Sequence, residues 1–310
     1  MKNIIRYSKL MMLLLIGTSL QHCGDAFSTT LDIDPPEFVR QMVLSTTITA
    51  GDSDVFFYVG QNRGILEEGD SEDFDLPNAK VTITRSSDGL QFDTEANSID
   101  TMEQFGSVFN YNIGLPDSTY FVPGDSYTFL LEHSEFDNSE TTIRFPTQEA
   151  NLENFEFTEI DGLNIDLEEI SSVAFDIVDN PDSRGYFELN ANIQIEDGFR
   201  FEVDIATTNP IALDAFPDGT LLFRDETFAE ETERFIFNYE RRFVNDIDSE
   251  FIEVVFASIN EGLYEYRRSL TRFSDSDGNP FITPVGVTSN VNGALGNIGL
   301  RTESRFIVFN

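Results

Sequence analysis

The run Phe187-Glu188-Leu189-Asn190-Ala191-Asn192-Ile193-Gln194-Ile195 alternates apolar and polar residues at every step. A period of two puts one set on each face of an extended strand and cannot line one face of a helix. Phe201, Val203 and Ile205 repeat the pattern, and Glu196-Asp197-Gly198 between the runs supplies turn chemistry, so the pair reads as a β-hairpin. The same alternation marks Met42, Leu44, Thr46 and Ile48, then Phe109-Tyr111-Ile113, Tyr127-Phe129-Leu131 and Thr141-Ile143-Phe145. Val55 to Val59 is a short apolar run, and Val81-Thr82-Ile83-Thr84 is β-branched throughout. Asp88-Gly89 and Pro123-Gly124-Asp125 separate these runs with residues suited to turns. Roughly seven short strands over residues 37–147, with no helical pattern among them, predict an immunoglobulin-like β-sandwich.

From Thr147 to Asn154 β character lapses, which places a domain boundary between residues 147 and 148. Residues 148–310 are then a second β-rich domain, in which Phe235-Phe237-Tyr239 and Ile252-Val254-Phe256 continue the alternation. Leu263, Tyr266, Leu270 and Phe273 fall at spacings of three, four and three, so one short helix is expected with these on its buried face. Asn260 is placed to cap its start, and Arg267, Arg268 and Arg272 to complement the macrodipole toward its end. The fold class is therefore mainly β. With 40% hydrophobic residues and 30 Phe, the chain can build cores, which excludes general disorder.

Residues 1–22 have the form of an export signal. Lys2, Arg6 and Lys9 precede Leu10-Met11-Met12-Leu13-Leu14-Leu15-Ile16, an apolar run too short to span a bilayer. Leu20-Gln21-His22-Cys23 resembles the lipobox of bacterial lipoproteins, whose cysteine is acylated and becomes the new N-terminus. Leu20 fits that pattern, while His22 stands where Gly, Ala or Ser is usual. The resemblance implies a lipid on Cys23, and each buried methylene of it would stabilise attachment by about 0.8 kcal/mol. The plain alternative is a secretory leader cut near Cys23, leaving the only cysteine as a lone thiol in an oxidising compartment. Residues 23–36, rich in Asp, Ser, Thr and Pro without periodicity, read as a tether. Asp25 is similar to the acidic residues that follow the lipidated cysteine in surface-exported lipoproteins of the Bacteroidetes.

Charge narrows the partners. The 19 basic and 56 acidic residues give a formal charge of -37, which becomes -40 once the three basic residues of the leader are removed. Such a field excludes nucleic acid and repels anionic membrane surfaces.

Candidate chemistry is sparse. His133 is the only histidine after the leader, with Glu132, Ser134 and Glu135 beside it, and no Gly-x-Ser-x-Gly turn presents a nucleophile. Two histidines and one cysteine exclude a zinc site built on clusters of those residues. Carboxylate pairs are too many to single one out for glycoside hydrolysis. For metal the best candidate is Asp275-Ser276-Asp277-Gly278-Asn279, where Asp275, Asp277 and Asn279 alternate as oxygen ligands for calcium, against the alternative of an ordinary Asp-Gly turn. The acidic segment Glu67 to Asp75 is a second calcium candidate, or simply a solvated loop. Arg241-Arg242 with Arg267 and Arg268 could receive an anion or pair with nearby carboxylates. The expectation is a non-enzymatic protein with no resident cofactor.

Near the C-terminus, Asn279-Pro280-Phe281, Pro284-Val285, Ser289-Asn290-Val291 and Asn292-Gly293-Ala294-Leu295-Gly296 follow one another. This series resembles the signature of a Bacteroidetes lipoprotein family of unknown function (DUF4249), with Asn297-Ile298-Gly299 in place of its Phe-Gly ending. Pro77 to Thr82, Pro123-Gly124-Asp125-Ser126-Tyr127 and Tyr264-Glu265-Tyr266 resemble the family more weakly. The resemblance implies a lipid-anchored outer-membrane protein, often encoded beside TonB-dependent transporters, and no catalytic residues. The function expected is binding, as an accessory subunit of such a transporter, or else as a calcium-stiffened adhesive or structural module at the cell surface.

Overall fold

The computed structural model describes residues 38–63, 74–94, 102–104, 107–116, 118–148, 150–163, 169–180, 184–195, 200–212, 214–215, 219–228, 231–240, 249–276 and 286–309. The chain first forms β1 (Met42–Thr49), β2 (Asp54–Gln61), β3 (Lys80–Arg85), β4 (Gln91–Asp93), β5 (Met102–Gln104), β6 (Ser107–Phe109), β7 (Tyr111–Gly114), β8 (Ser126–Glu132) and β9 (Ser139–Arg144). It continues through β10 (Ala150–Leu163), β11 (Glu169–Asp179), β12 (Tyr186–Ile195), β13 (Arg200–Val203), β14 (Ile205–Ala206), β15 (Asp214–Ala215), β16 (Leu221–Arg224), β17 (Thr232–Glu240) and β18 (Ser249–Ile259). Helix α1 (Glu261–Ser276) and the long strand β19 (Leu295–Phe309) close the fold. It is a mainly β protein, and among the described residues no helix is long and apolar enough to cross a membrane.

Burial follows the alternation seen in the sequence. In β1 the apolar positions Met42, Leu44 and Ile48 are all at most 1% exposed. The expected hairpin pairs over residues 191–194 and 200–203, with Ala191 opposite Val203 and Ile193 opposite Phe201, but Ile205 leaves it to pair with Tyr239 of β17 in another sheet. Phe109-Tyr111-Ile113 does not run as one strand, because Asn110 interrupts it. Its buried amide accepts from Val59 N at 2.8 Å and donates to Val59 O at 2.7 Å, taking the place of a backbone partner.

A nine-stranded sheet runs in the order β15-β16-β12-β18-β19-β1-β2-β7, with β13 beside β12. Two four-stranded sheets, β4-β3-β8-β9 and β10-β11-β17-β14, make the other layers. Val81, Ile83, Tyr127, Phe129 and Leu131 of one four-stranded sheet share a core with Met42, Leu44, Val55, Phe57 and Val59 of the large sheet. Phe175, Phe235 and Phe237 of the other share a second core with Phe187, Leu189, Val254 and Phe256. Strand β19 serves both: Ile298 and Leu300 enter the first core and Val308 the second. Between β9 and β10 the chain passes from the first core to the second, Val291, Ala294, Ile298 and Leu300 return to the first, and Arg40–Asn310 form a single compact unit.

Helix α1 lies on the outer face of the large sheet, with the expected stripe buried at Leu263, part-buried at Tyr266 and Leu270, and turned outward at Phe273. Leu263 and Tyr264 are fully buried against Leu222, Ala257 and Ile259, whereas Phe273 is 45% exposed. The first turn makes the contact, because Gly299 lets it approach: a Cβ there would stand 2.9 Å from Leu263 Cδ1. The stripe then passes through Arg267, whose Nη1 lies 3.2 Å from Glu188 Oε2. The arginines therefore occupy the middle of a longer helix, and its last turn holds no cation.

Glu188, 1% exposed, is held from its other side by Arg301 at 2.6 Å, and Arg301 also pairs with Glu303. Arg305 joins Glu303 at 2.7 Å to Glu253 at 3.0 Å. Breaking a buried ion pair on one side leaves the other charge uncompensated, so this ladder fixes β12, β18, β19 and α1 in register. Burial pushes the Glu303 carboxyl up, but Arg301 and Arg305 outweigh it and hold the group below its ordinary range. Burial has the same upward effect on Asp52, only partly offset by the Thr49 N–H, and that carboxyl is raised.

Two measurements check this packing. By chemical denaturation, Leu263→Ala should cost about 3 kcal/mol, while Phe273→Ser changes stability by less than about 0.5 kcal/mol. Because the folded Glu303 carboxyl is depressed, its contribution is complete above the unfolded value near about 4.3 and is lost as pH falls through the folded one. The gap in urea midpoint between wild type and Glu303→Gln should accordingly be constant near neutrality and shrink as the pH falls below about 4.

Candidate binding cleft

The residues that carry the C-terminal signature build a junction. Asn290 donates through Nδ2 to Ile298 O at 2.9 Å and accepts from Ile298 N at 2.8 Å, so one carboxamide ties the loop to β19. Asn260 does the same from the helix side, donating to Ile298 O at 3.2 Å and accepting from Leu300 N at 2.7 Å. Its side chain thus holds β19, while its carbonyl accepts from Leu263 N and Tyr264 N to begin α1. Asn292 N donates to Thr141 Oγ1 at 2.8 Å, and Ser139 Oγ donates to Asn292 O at 2.6 Å, which joins the loop to β9. Gly296 has φ of 112° and a Cβ there would lie 2.0 Å from Leu44 O, so only glycine lets β19 start alongside β1.

This junction forms one end of a cleft of about 670 Å³. It is lined by the run from Thr141 to Thr147, by Ser258 to Gly262, and by Arg184, Gly185 and Tyr186 at the start of β12. Such a volume lies in the range of small-ligand sites. Tyr186 donates to Glu261 Oε1 at 2.9 Å. Burial, then that bond to Glu261, pushes the Tyr186 phenol up to about 12, so it remains a donor at any physiological pH. Arg184 is exposed and forms no hydrogen bond or ion pair among the described residues. The lining thus mixes hydroxyl, amide, guanidinium and carboxylate groups with the apolar Ile143, Pro146 and Ile259.

The cleft was not legible in the sequence, since no motif joins β9 to Arg184 and Asn260. The chemistry singled out there lies elsewhere. His133 has both ring nitrogens engaged by backbone, Nε2 with Pro77 O at 3.2 Å and Nδ1 with Glu135 N at 3.3 Å. Cys23, Asp277, Asn279 and Arg241-Arg242 lie outside the described residues, and Asp275 falls in the last turn of α1. Of the acidic segment 67–75 only its end is described, where Asp75 accepts from Asn110 Nδ2 at 3.2 Å. Among the described residues no group of three or more His, Cys, Asp or Glu could hold a metal ion. Arg267 and Arg268 stand beside carboxylates, Glu188 and Glu265.

A family model described as "Domain of unknown function (DUF4249)" matches residues 28–306. No curated protein matches the sequence. Among solved structures the chain is similar to one described as "Biofilm associated protein - BSP domain", at 10% identity and a TM-score of 0.22. The match covers 92% of this chain and 62% of that one, so this chain spans less than two thirds of its length.

If the signature serves the junction, Gly296→Ala should cost about 3 kcal/mol or more in chemical denaturation, from a strained backbone and a clash with Leu44 together. A variant as stable as wild type would contradict this role.

Proposed function

We propose that this chain, which belongs to the DUF4249 family across residues 28–306, is a lipid-anchored binding protein of the outer membrane and an accessory subunit of a TonB-dependent nutrient transporter. The observation that carries the binding role is the polar cleft between β9 and the start of α1. Its lining includes Arg184, Tyr186, Glu261, Asn260 and Asn290 and no histidine or cysteine, a composition that favours holding a ligand over transforming one. The anchor rests on the leader and Cys23, and the transport role on the family's implied setting. Lipid at Cys23 keeps the binding unit at the membrane, and the tether of residues 23–36 gives it reach.

The test is mild detergent extraction of the native membrane, affinity purification of the protein, and mass spectrometry of what co-purifies in stoichiometric amount. A β-barrel transporter is the expected companion, and Cys23→Ala should move the protein to the soluble fraction. Recovery of the protein alone after mild cross-linking would overturn the transport role. A large calcium-dependent rise in Tm in that same preparation would then favour a calcium-stiffened adhesive module, since a ligand that binds only the native state stabilises it.

A further inference from the structure

The wall of the cleft formed by β9 is the edge of a sheet. Strand β9 ends the order β4-β3-β8-β9, and its only strand partner among the described residues is β8. Phe145 N donates to Asp125 O at 2.7 Å, and the register continues as Ile143 opposite Tyr127 and Thr141 opposite Phe129. In an antiparallel pair the residues that exchange hydrogen bonds alternate with those that do not. Thr141, Ile143 and Phe145 therefore direct their backbone groups to β8, and Thr142 and Arg144 direct theirs away from it. No backbone hydrogen bond engages those outward groups among the described residues.

Seven consecutive residues, Thr141 to Thr147, line the cleft. Side chains alternate between the faces of a strand, so a cleft that touches every residue of the run lies along its edge. Exposed edges are usually blunted by charge, proline or a covering element. Here Pro146 ends the available stretch, and Asn260, Glu261 and Gly262 line the same cleft.

Resting on the binding role proposed above, we infer that the cleft takes an extended peptide, which adds to β9 as a fifth strand through the N–H and C=O groups of Thr142 and Arg144. Five residues of strand extend about 17 Å, which sets the length recognised. Main-chain pairing supplies affinity with little demand on sequence, as in other strand additions. Arg184 supplies a preference: in a chain with 56 acidic residues it remains without a carboxylate among the described residues, so the peptide carries one, from a side chain or its C-terminus.

The test pans the full-length detergent-purified protein against phage-displayed random linear octapeptides, then titrates resynthesised winners by fluorescence anisotropy. Enriched peptides should contain an acidic residue and lose that preference on Arg184→Ala. Proline is tolerated at edge positions whose N–H faces outward, so Thr142→Pro should fold and weaken binding by about tenfold, with Thr142→Val within about twofold of wild type. Independently of any protein variant, N-methylation at alternate peptide positions should abolish binding and at the intervening positions spare it. Absence of enrichment, or equal loss at every methylated position, would overturn strand addition. Transporter co-purification in that case leaves the transport role standing, whereas peptide binding without a co-purifying transporter removes that role alone.

Discussion

The pairing of β19 with β1 is the constraint from which the rest of the fold follows. Residues 295–301 lie parallel to β1, and residues 301–309 lie antiparallel to β18, so one strand belongs to both halves of the large sheet. Parallel strands cannot be joined by a tight turn, and here nearly the whole chain is the connection. Each core then uses a different stretch of β19 as part of its wall. Gly296 and Gly299 make this possible by removing the side chains that would keep β1 and α1 at a distance.

Seen this way, the C-terminal signature is architectural. Asn260 and Asn290 act as backbone surrogates at the point where three elements meet, and Ser139, Thr141 and Asn292 extend the joint to the second sheet. The cleft exists because these contacts hold the edge of one sheet and the start of the helix apart at a fixed separation. The motif residues thus frame the cleft, while Arg184, which also lines it, lies outside the motif.

The strands were legible because period-two alternation reports burial directly, as in β1 and β12. The helix was legible as a helix and its buried face in part: Leu263 of the expected stripe is buried, but contact is closest at the first turn, where Gly299 allows approach and Tyr264 is buried too, and that depends on β19, an element distant in sequence. Asn110 breaks a run that alternates well, because a carboxamide can satisfy a buried backbone as a neighbour would. The ladder centred on Glu188 left no trace in local pattern, since its members are single polar positions on three strands and the helix. The cleft was hidden for the same reason: it is assembled from separate segments spread between Thr141 and Asn292.

The parallel junction also bears on how the chain reaches its folded state. Val43 pairs with Leu295, so the first strand waits for nearly the last before it can be seated. Contacts of that separation make folding slow and prevent the N-terminal half from closing while the remainder is still emerging. Until β19 arrives β1 keeps one unpaired edge, and a formal charge of -37 on the whole chain discourages two such intermediates from meeting.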